Sequence, residues 1–218
     1  MRIAIVGAGR IGGNIARRLT GAGHELTLSF ARDIAALRAQ ADNIGAETAA
    51  PADAAGAAEV VVISVPWGAI GVALEQVGPL VGKVVIDTTN QFGPGPKPAA
   101  GQTAAGFNAA RMPGARYTKC FNTLTSAFQA ETAGREPRVV QWLCGDDEPA
   151  KKIVSGLVAD AGYVAVDLGG TADCAVMEAP RRAGAVYGEE YRLAEAQAVV
   201  EAVRAGRPVP PTPSYDEA

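Results

Sequence analysis

The chain predicts an α/β fold with a mostly parallel, doubly wound sheet. Three observations carry this. Short apolar runs alternate with helical stretches along the 218 residues, the order in which parallel strands are joined by helices. The β-branched runs at 60–63 and 84–86 have the continuous apolar character of central strands buried on both faces. The first apolar run, Ile3-Ala4-Ile5-Val6, passes directly into Gly7, Gly9 and Gly12 in the spacing G-x-G-x-x-G, and then into an Ile-Ala-Arg-Arg-Leu helical pattern.

Taken in order, strands are expected over 2–6, 24–29, 59–65, 83–87, 116–121, 138–144 and 163–167. Helices are expected over 11–22, 32–42, 67–79, 101–111, 148–161 and roughly 172–204. Between Asn90 and Gly101 stand Gly93, Pro94, Gly95, Pro96 and Pro98. This is a loop leaving the fourth of these strands, at the kind of strand end where α/β folds bind ligands. Pro208, Pro210, Pro211 and Pro213, with no apolar periodicity around them, read as a loose tail. The plan is a nucleotide-binding domain over 1–170, a helical segment over 171–207 packing on it, and the tail over 208–218. No internal repeat is visible.

The glycine turn carries the most chemistry. Strand, turn and helix in that order lift G-x-G-x-x-G above a chance match. Gly7 permits the tight turn, Gly9 lets the backbone approach a pyrophosphate, and Gly12 lets helix and strand pack closely. The phosphates are expected against the free N–H groups and positive dipole end of the first helix. This is a Rossmann-type site.

Composition excludes other classes. A net charge of −3 with 48% hydrophobic residues gives no basic excess for nucleic acid or an anionic membrane. No apolar run reaches membrane-spanning length, and the first strand begins so early that no signal peptide is expected. The three cysteines, Cys120, Cys144 and Cys174, are far apart. That spacing favours free thiols in a reducing cytoplasm over a disulfide framework or a metal site. His24 is the single histidine and falls in a turn, which argues against a histidine base or a histidine-ligated metal.

Which nucleotide is bound follows from the end of the second strand. NAD-binding domains place a carboxylate there for the ribose 2′-hydroxyl. This chain has Ser29-Phe30-Ala31-Arg32, with Asp33 only after Arg32. A hydroxyl and a guanidinium suit a 2′-phosphate, so NADP(H) is favoured. Arg32 also reads as a solvated first-turn residue, Ser29 and Asp33 as helix caps, and Phe30 as either an adenine contact or core.

The order and spacing of several short segments resemble the NADPH-dependent coenzyme F-420 reductases, also called F-420:NADP oxidoreductases. These segments are Met1 to Arg18, Gly23-His24-Glu25, Val65-Pro66-Trp67, Asp87-Thr88-Thr89-Asn90, Lys119-Cys120-Phe121-Asn122-Thr123, and Cys144-Gly145-Asp146-Asp147 with Lys151-Lys152. The resemblance covers about 1–170. It implies a homodimer that transfers hydride between NADPH and a deazaflavin or related flavin. It places the pyrophosphate on Ala8, Gly9, Arg10 and Ile11, the 2′-phosphate from Ser29 onward, and the nicotinamide ribose against Val65, Pro66 and Trp67. Asn90, Asn122 and Thr123 face the crevice where the second ring stacks. The chain departs from the family at Phe30-Ala31, where Ser-Arg is common. It departs again at Met177-Glu178-Ala179-Pro180-Arg181-Arg182, where an apolar helix usually covers the site.

Ring-to-ring hydride transfer needs orientation more than a dedicated acid or base, so no catalytic residue is assigned. Reduction of a carbonyl, imine or quinone would need a proton donor, with Lys119, Tyr187 and Tyr191 as candidates. Each has a plainer reading: Lys119 snorkelling from a strand face, the tyrosines as a helical packing stripe. Trp67 could cover the nicotinamide or belong to the core, Cys120 and Cys144 read as inert core, and Arg181-Arg182 could meet an anionic substrate tail or only solvent. A non-catalytic NADP(H)-sensing protein is the remaining alternative.

Overall fold

The structure is a computed structural model that describes residues 1–180 and 184–215. Its centre is β1 (Arg2–Val6), flanked in parallel by β2 (Glu25–Ser29) and β4 (Val60–Ile63). β5 (Val84–Asp87) lies on β4 and β6 (Arg116–Lys119) on β5, both parallel. β7 (Val140–Gly145) runs antiparallel to β6, and β8 (Val164–Asp167) runs parallel to β7. A two-residue strand, β3 (Glu47–Thr48), closes the other edge, giving the order β3-β2-β1-β4-β5-β6-β7-β8.

Register puts the ends of the parallel strands in one row. Val6 is opposite Ser29 and Ile63, Ile63 is opposite Asp87, and Asp87 is opposite Lys119. The chain leaves β1 toward β2 and later returns on the far side of β1 to β4, so strand order reverses between β1 and β4. That is the switch point at which such sheets open a ligand crevice.

Side chains alternate across the sheet and bury on both faces. Ile3, Ile5, Val60, Val62 and Ile86 pack under α1 (Arg10–Gly21), α2 (Ile34–Ile44), α6 (Ser126–Thr132) and α7 (Glu148–Asp160). Ala4, Val6, Val61, Ile63 and Val85 pack under α3 (Pro51–Ala57), α4 (Ile70–Val77), α5 (Ala104–Ala110) and α8 (Leu193–Arg204). Caps set several helix starts. Asp33 accepts from the Ala36 N–H at 3.0 Å, Asp147 from Ala150 at 2.8 Å, and Thr103 from Gly106 at 2.9 Å.

Several expectations are corrected. The helix over 172–204 does not exist as one element. A short 3-10 helix, Thr171–Met177, is followed by an irregular stretch, and α8 begins only at Leu193. Pro180 removes a backbone donor, and Gly184 and Gly188 adopt φ of 74° and 83°, so helical propagation is broken there. Tyr187 and Tyr191 therefore share no helix face. The segment 208–215 has no regular structure but is fastened at its end. The Tyr215 ring lies 4.3 Å from the Arg192 guanidinium, and its hydroxyl accepts from the Arg192 N–H at 2.9 Å.

The cysteines are also corrected. Cys144, on β7, and Cys174, in the 3-10 helix, form a disulfide with a Cα–Cα distance of 6.1 Å. They are 30 residues apart in sequence, and only the return of the chain against β7 brings them together. Cys120 is free and fully buried, and burial pushes its thiol up to about 12. Lys119 does not snorkel: it is wholly buried.

Candidate functional site

The glycine turn begins where β1 ends. Gly7 has φ of 94°, and its N–H donates to the Ser29 carbonyl at 2.9 Å, tying the turn to β2. A Cβ at Gly7 would stand 2.5 Å from the Ser64 carbonyl oxygen, and one at Gly12 would collide with the Gly7 carbonyl. Both glycines are required by the protein itself. Gly9 is not: a Cβ there would meet nothing within 4 Å. Its face is open, which fits a backbone that must be approached by a phosphate.

Gly9 caps α1 without a side-chain hydrogen bond, and α1 has no acidic residue in its first turn. The N–H groups at its start are free to meet an anion, and the helix dipole favours one. Ala8 is half-buried, Arg10 is exposed and Ile11 is partly packed on the core below.

At the end of β2 the structure separates residues that the sequence placed together. Ser29 is fully buried, and its hydroxyl donates to the Ile5 carbonyl at 3.4 Å. The hydroxyl is thus turned into the sheet. Phe30 follows with φ of 60° and packs against the core. For a bulky residue that conformation is strained and held by its surroundings. It turns the chain outward, so Ala31 and Arg32 are exposed while Asp33 caps α2. Arg32 is the exposed cation at this end.

Beyond the switch point, Val65 and Trp67 are core and only Pro66 is exposed. The Trp67 indole donates to the Pro96 carbonyl at 2.7 Å, and its ring lies 5.9 Å from that of Phe107. Trp67 therefore fastens the loop after β5 and does not line the crevice with its ring. Ser64, which the sequence reading passed over, is half-buried at the end of β4 and accepts from the Thr88 hydroxyl at 3.0 Å.

Asn90 and Asn122 are brought together as a hub. Asn90 Nδ2 donates to the Asn122 carbonyl at 2.7 Å, and Asn122 Nδ2 donates to Asn90 Oδ1 at 3.2 Å and to the Met177 carbonyl at 2.7 Å. The Ala179 N–H also reaches Asn90 Oδ1, at 3.3 Å. Asn122 Oδ1 and the Thr123 hydroxyl are buried and have no hydrogen-bond partner among the described residues. Buried polar atoms are rarely left so. Phe121, with φ of 59°, makes the turn that delivers them.

Beneath this hub lies a charged cluster that sequence reasoning missed. Asp87 Oδ2 accepts from Tyr117 Oη at 2.6 Å and Asn108 Nδ2 at 2.8 Å, and Asp87 Oδ1 accepts from the Thr89 N–H at 2.7 Å. Lys119 Nζ stands 3.6 Å from Asp87 and donates to the Thr89 carbonyl at 2.6 Å. Burial works to raise the Asp87 pKa, but Lys119 and these donors overcome it and hold the carboxyl below its usual value. Burial, then the Asp87 charge, drives the Tyr117 phenol well above its ordinary range. Neighbouring Glu178 is buried and accepts from the Ala104 and Ala105 N–H groups at 2.9 and 2.7 Å. The available signal was an Asp ending one apolar run and a Lys inside the next expected strand.

The other candidates lie elsewhere. His24 joins Asp160 at 2.9 Å and the N-terminal amine at 3.3 Å, at the start of β2 and so at the end of the strands opposite the glycine turn. Tyr191 is buried against Trp142 with ring centroids 5.3 Å apart. Tyr187 is half-buried at the crevice side. Arg181 and Arg182 lie outside the described residues. Among the described residues, no group of three or more His, Cys, Asp or Glu could hold a metal ion, and no helix is long and apolar enough to cross a membrane.

The strand order, the glycine turn at its reversal and the uncapped helix behind it define a dinucleotide-binding α/β domain. Residues 2–91 match the family described as NADP oxidoreductase, coenzyme F420-dependent. A hypothetical protein from Sinorhizobium meliloti has a similar structure, with a TM-score of 0.78, 28% identity, and coverage of 88% of this chain and 96% of that one. A candidate F420-dependent NADP reductase from Arthrobacter sp. FB24 is similar with a TM-score of 0.68, 26% identity, and coverage of 78% and 86%. A reductive aminase from Aspergillus terreus, in complex with NADPH4, cyclohexanone and allyl amine, shares the fold alone at 24% identity. Its TM-score is 0.58, with coverage of 78% of this chain and 55% of that one. No protein of curated function matches the chain.

Proposed function

We propose that the protein transfers hydride between NADPH and a deazaflavin, coenzyme F-420, or a related flavin. The observation that carries this reading is where the possible proton donors are. The Lys119 ammonium is committed to Thr89 and Asp87, Tyr117 to Asp87, and Tyr191 to the core. With these three groups committed elsewhere, the crevice suits transfer between two stacked rings, where positioning does most of the work.

In this reading Gly7, Gly9 and Gly12 with the start of α1 hold the pyrophosphate, Arg32 binds the 2′-phosphate, and Pro66 borders the nicotinamide ribose. NADPH supplies the hydride when bound. Asn90, Asn122 and Thr123 fix the edge of the crevice beside β5 and β6, and the Phe30 ring lies toward the adenine end. The protein acts as a homodimer in the cytoplasm, where NADPH is kept reduced. The Cys144–Cys174 bond removes the cysteine-based reason for that compartment.

The test is NADPH-dependent bleaching of oxidised F-420 or FMN by purified protein. Turnover supports the reading, whereas tight NADPH binding with no reduction of either ring refutes it. The second reading is reduction of an imine or carbonyl, and one observation favours it. Tyr187 is half-buried at the crevice and is not drawn into the core as Tyr191 is. Loss of turnover on such substrates in Tyr187→Phe, with NADPH affinity unchanged, would establish it.

A further inference from the structure

We propose that Phe92 and Tyr187 form the stacking wall of the acceptor site and make it selective for a flat conjugated ring. The inference rests on the hydride-transfer reading and assigns two residues beyond it. Phe92 is 56% exposed although it is a large aromatic residue. An exposed phenyl alone says little; what singles out Phe92 is its pairing with Tyr187.

The pair is held where the acceptor must lie. Phe92 belongs to the loop leaving β5, and its N–H donates to the Asn90 carbonyl at 2.7 Å. Tyr187 precedes Gly188, whose N–H donates to the Thr123 carbonyl at 2.8 Å. Both aromatic residues thus stand on the Asn90–Asn122–Thr123 hub, on the β5–β6 side of the switch point. Their ring centroids are 6.2 Å apart with planes at 57°, a tilted contact that leaves part of each ring uncovered.

In the segment that anchors this wall, Asn122 Oδ1 and the Thr123 hydroxyl have no partner among the described residues although both residues are more than nine-tenths buried. One accepts and the other can donate. Apolar faces to stack and a polar edge to meet these two groups describe a fused heterocycle with an amide-like edge. A small aliphatic imine or ketone has no such face and gains nothing from the wall.

The test uses the full chain and FMN as the probe, titrated by fluorescence quenching with and without NADP+. Phe92→Ala and Tyr187→Ala are each expected to weaken FMN binding about tenfold, the scale of a lost aromatic contact. Tyr187→Phe should stay within about twofold of the parent on the same basis, because the ring remains. Val72→Ala, an exposed residue on α4, should change nothing. Absence of FMN binding by the parent, or unchanged binding in both alanine variants, overturns the wall. Loss of binding in Tyr187→Phe also overturns it, because the hydroxyl and not the ring would then be the contact. NADPH binding is followed separately by its own fluorescence. Its failure counts against the hydride-transfer reading, while failure of the FMN series alone counts only against the wall.

Discussion

Replacing Lys119 by Met takes the cation out of a cluster that has no access to water. Lys119 and Asp87 are both fully buried, so the lost charge is not replaced by solvent. Asp87 keeps Tyr117, Asn108 and the Thr89 N–H, while the Thr89 carbonyl loses its donor. Removing one partner of a buried pair costs about 3–5 kcal/mol. At about 2–4 °C per kcal/mol for a chain of this size, the thermal midpoint should fall by about 6–20 °C. Urea unfolding followed by the fluorescence of Trp67 and Trp142, both buried, measures the change directly.

The pH dependence gives a second check. Asp87 is held below its usual value in the folded parent. Its contribution to stability is therefore present above the unfolded carboxylate pKa of about 4 and is lost as pH falls through the lower, folded value. In Lys119→Met the burial that works against the charged carboxyl is no longer offset by the lysine. The variant's deficit should therefore narrow as the pH is lowered toward 3. The double variant Asp87→Asn/Lys119→Met should recover much of the loss, because no unpaired charge is left buried. A single-variant cost below about 1 kcal/mol at pH 7, the scale of an exposed pair, would refute the reasoning. So would a double variant as unstable as the sum of the two singles.

Three other outcomes are expected. Gly9→Ala should fold with an unchanged melting temperature, since its Cβ meets nothing, yet lose NADPH affinity by isothermal titration. Gly12→Ala should lose both, and an unstable Gly9→Ala would show that the open face was misread. Arg32→Ala should weaken NADPH about 10-fold or more, the scale of a charge-assisted hydrogen bond, and leave NADH nearly unchanged; an equal loss for both nucleotides would remove Arg32 from 2′-phosphate recognition. Cys174→Ser should cost about 3–4 kcal/mol in urea, the loop-closure contribution for a bridge of this span, with no further loss on adding a reductant.

The sheet and the glycine turn were legible because they rest on local pattern. Continuous apolar runs give central strands, and Gly7 and Gly12 are placed by clashes with residues close in the fold. What failed depended on direction or distance. The sequence could not show that the Ser29 hydroxyl turns into the sheet, since that follows from its place in β2 and from the αL turn at Phe30. Trp67 was ambiguous until Pro96 appeared as its partner, 29 residues away. Asp87 looked like a strand end and Lys119 like an outward strand-face residue, and they became a buried pair only because β5 and β6 align them. The short α3 and α6 were missed because Ala-rich or seven-residue segments show little periodicity. In the third beyond 170, one long periodic stretch concealed the breaks at Pro180, Gly184 and Gly188.

The shape of the sheet's outer edge also bears on how copies of the protein can meet. β3 has two residues, Glu47 and Thr48, of which the first is charged and exposed. An edge so short offers a newcomer almost no unpaired ladder. Self-association by continuing the sheet past β3 is therefore closed off. A twofold assembly that continued the sheet would have to use the other edge, β8, and a dimer interface mapped by cross-linking should leave Glu47 and Thr48 untouched.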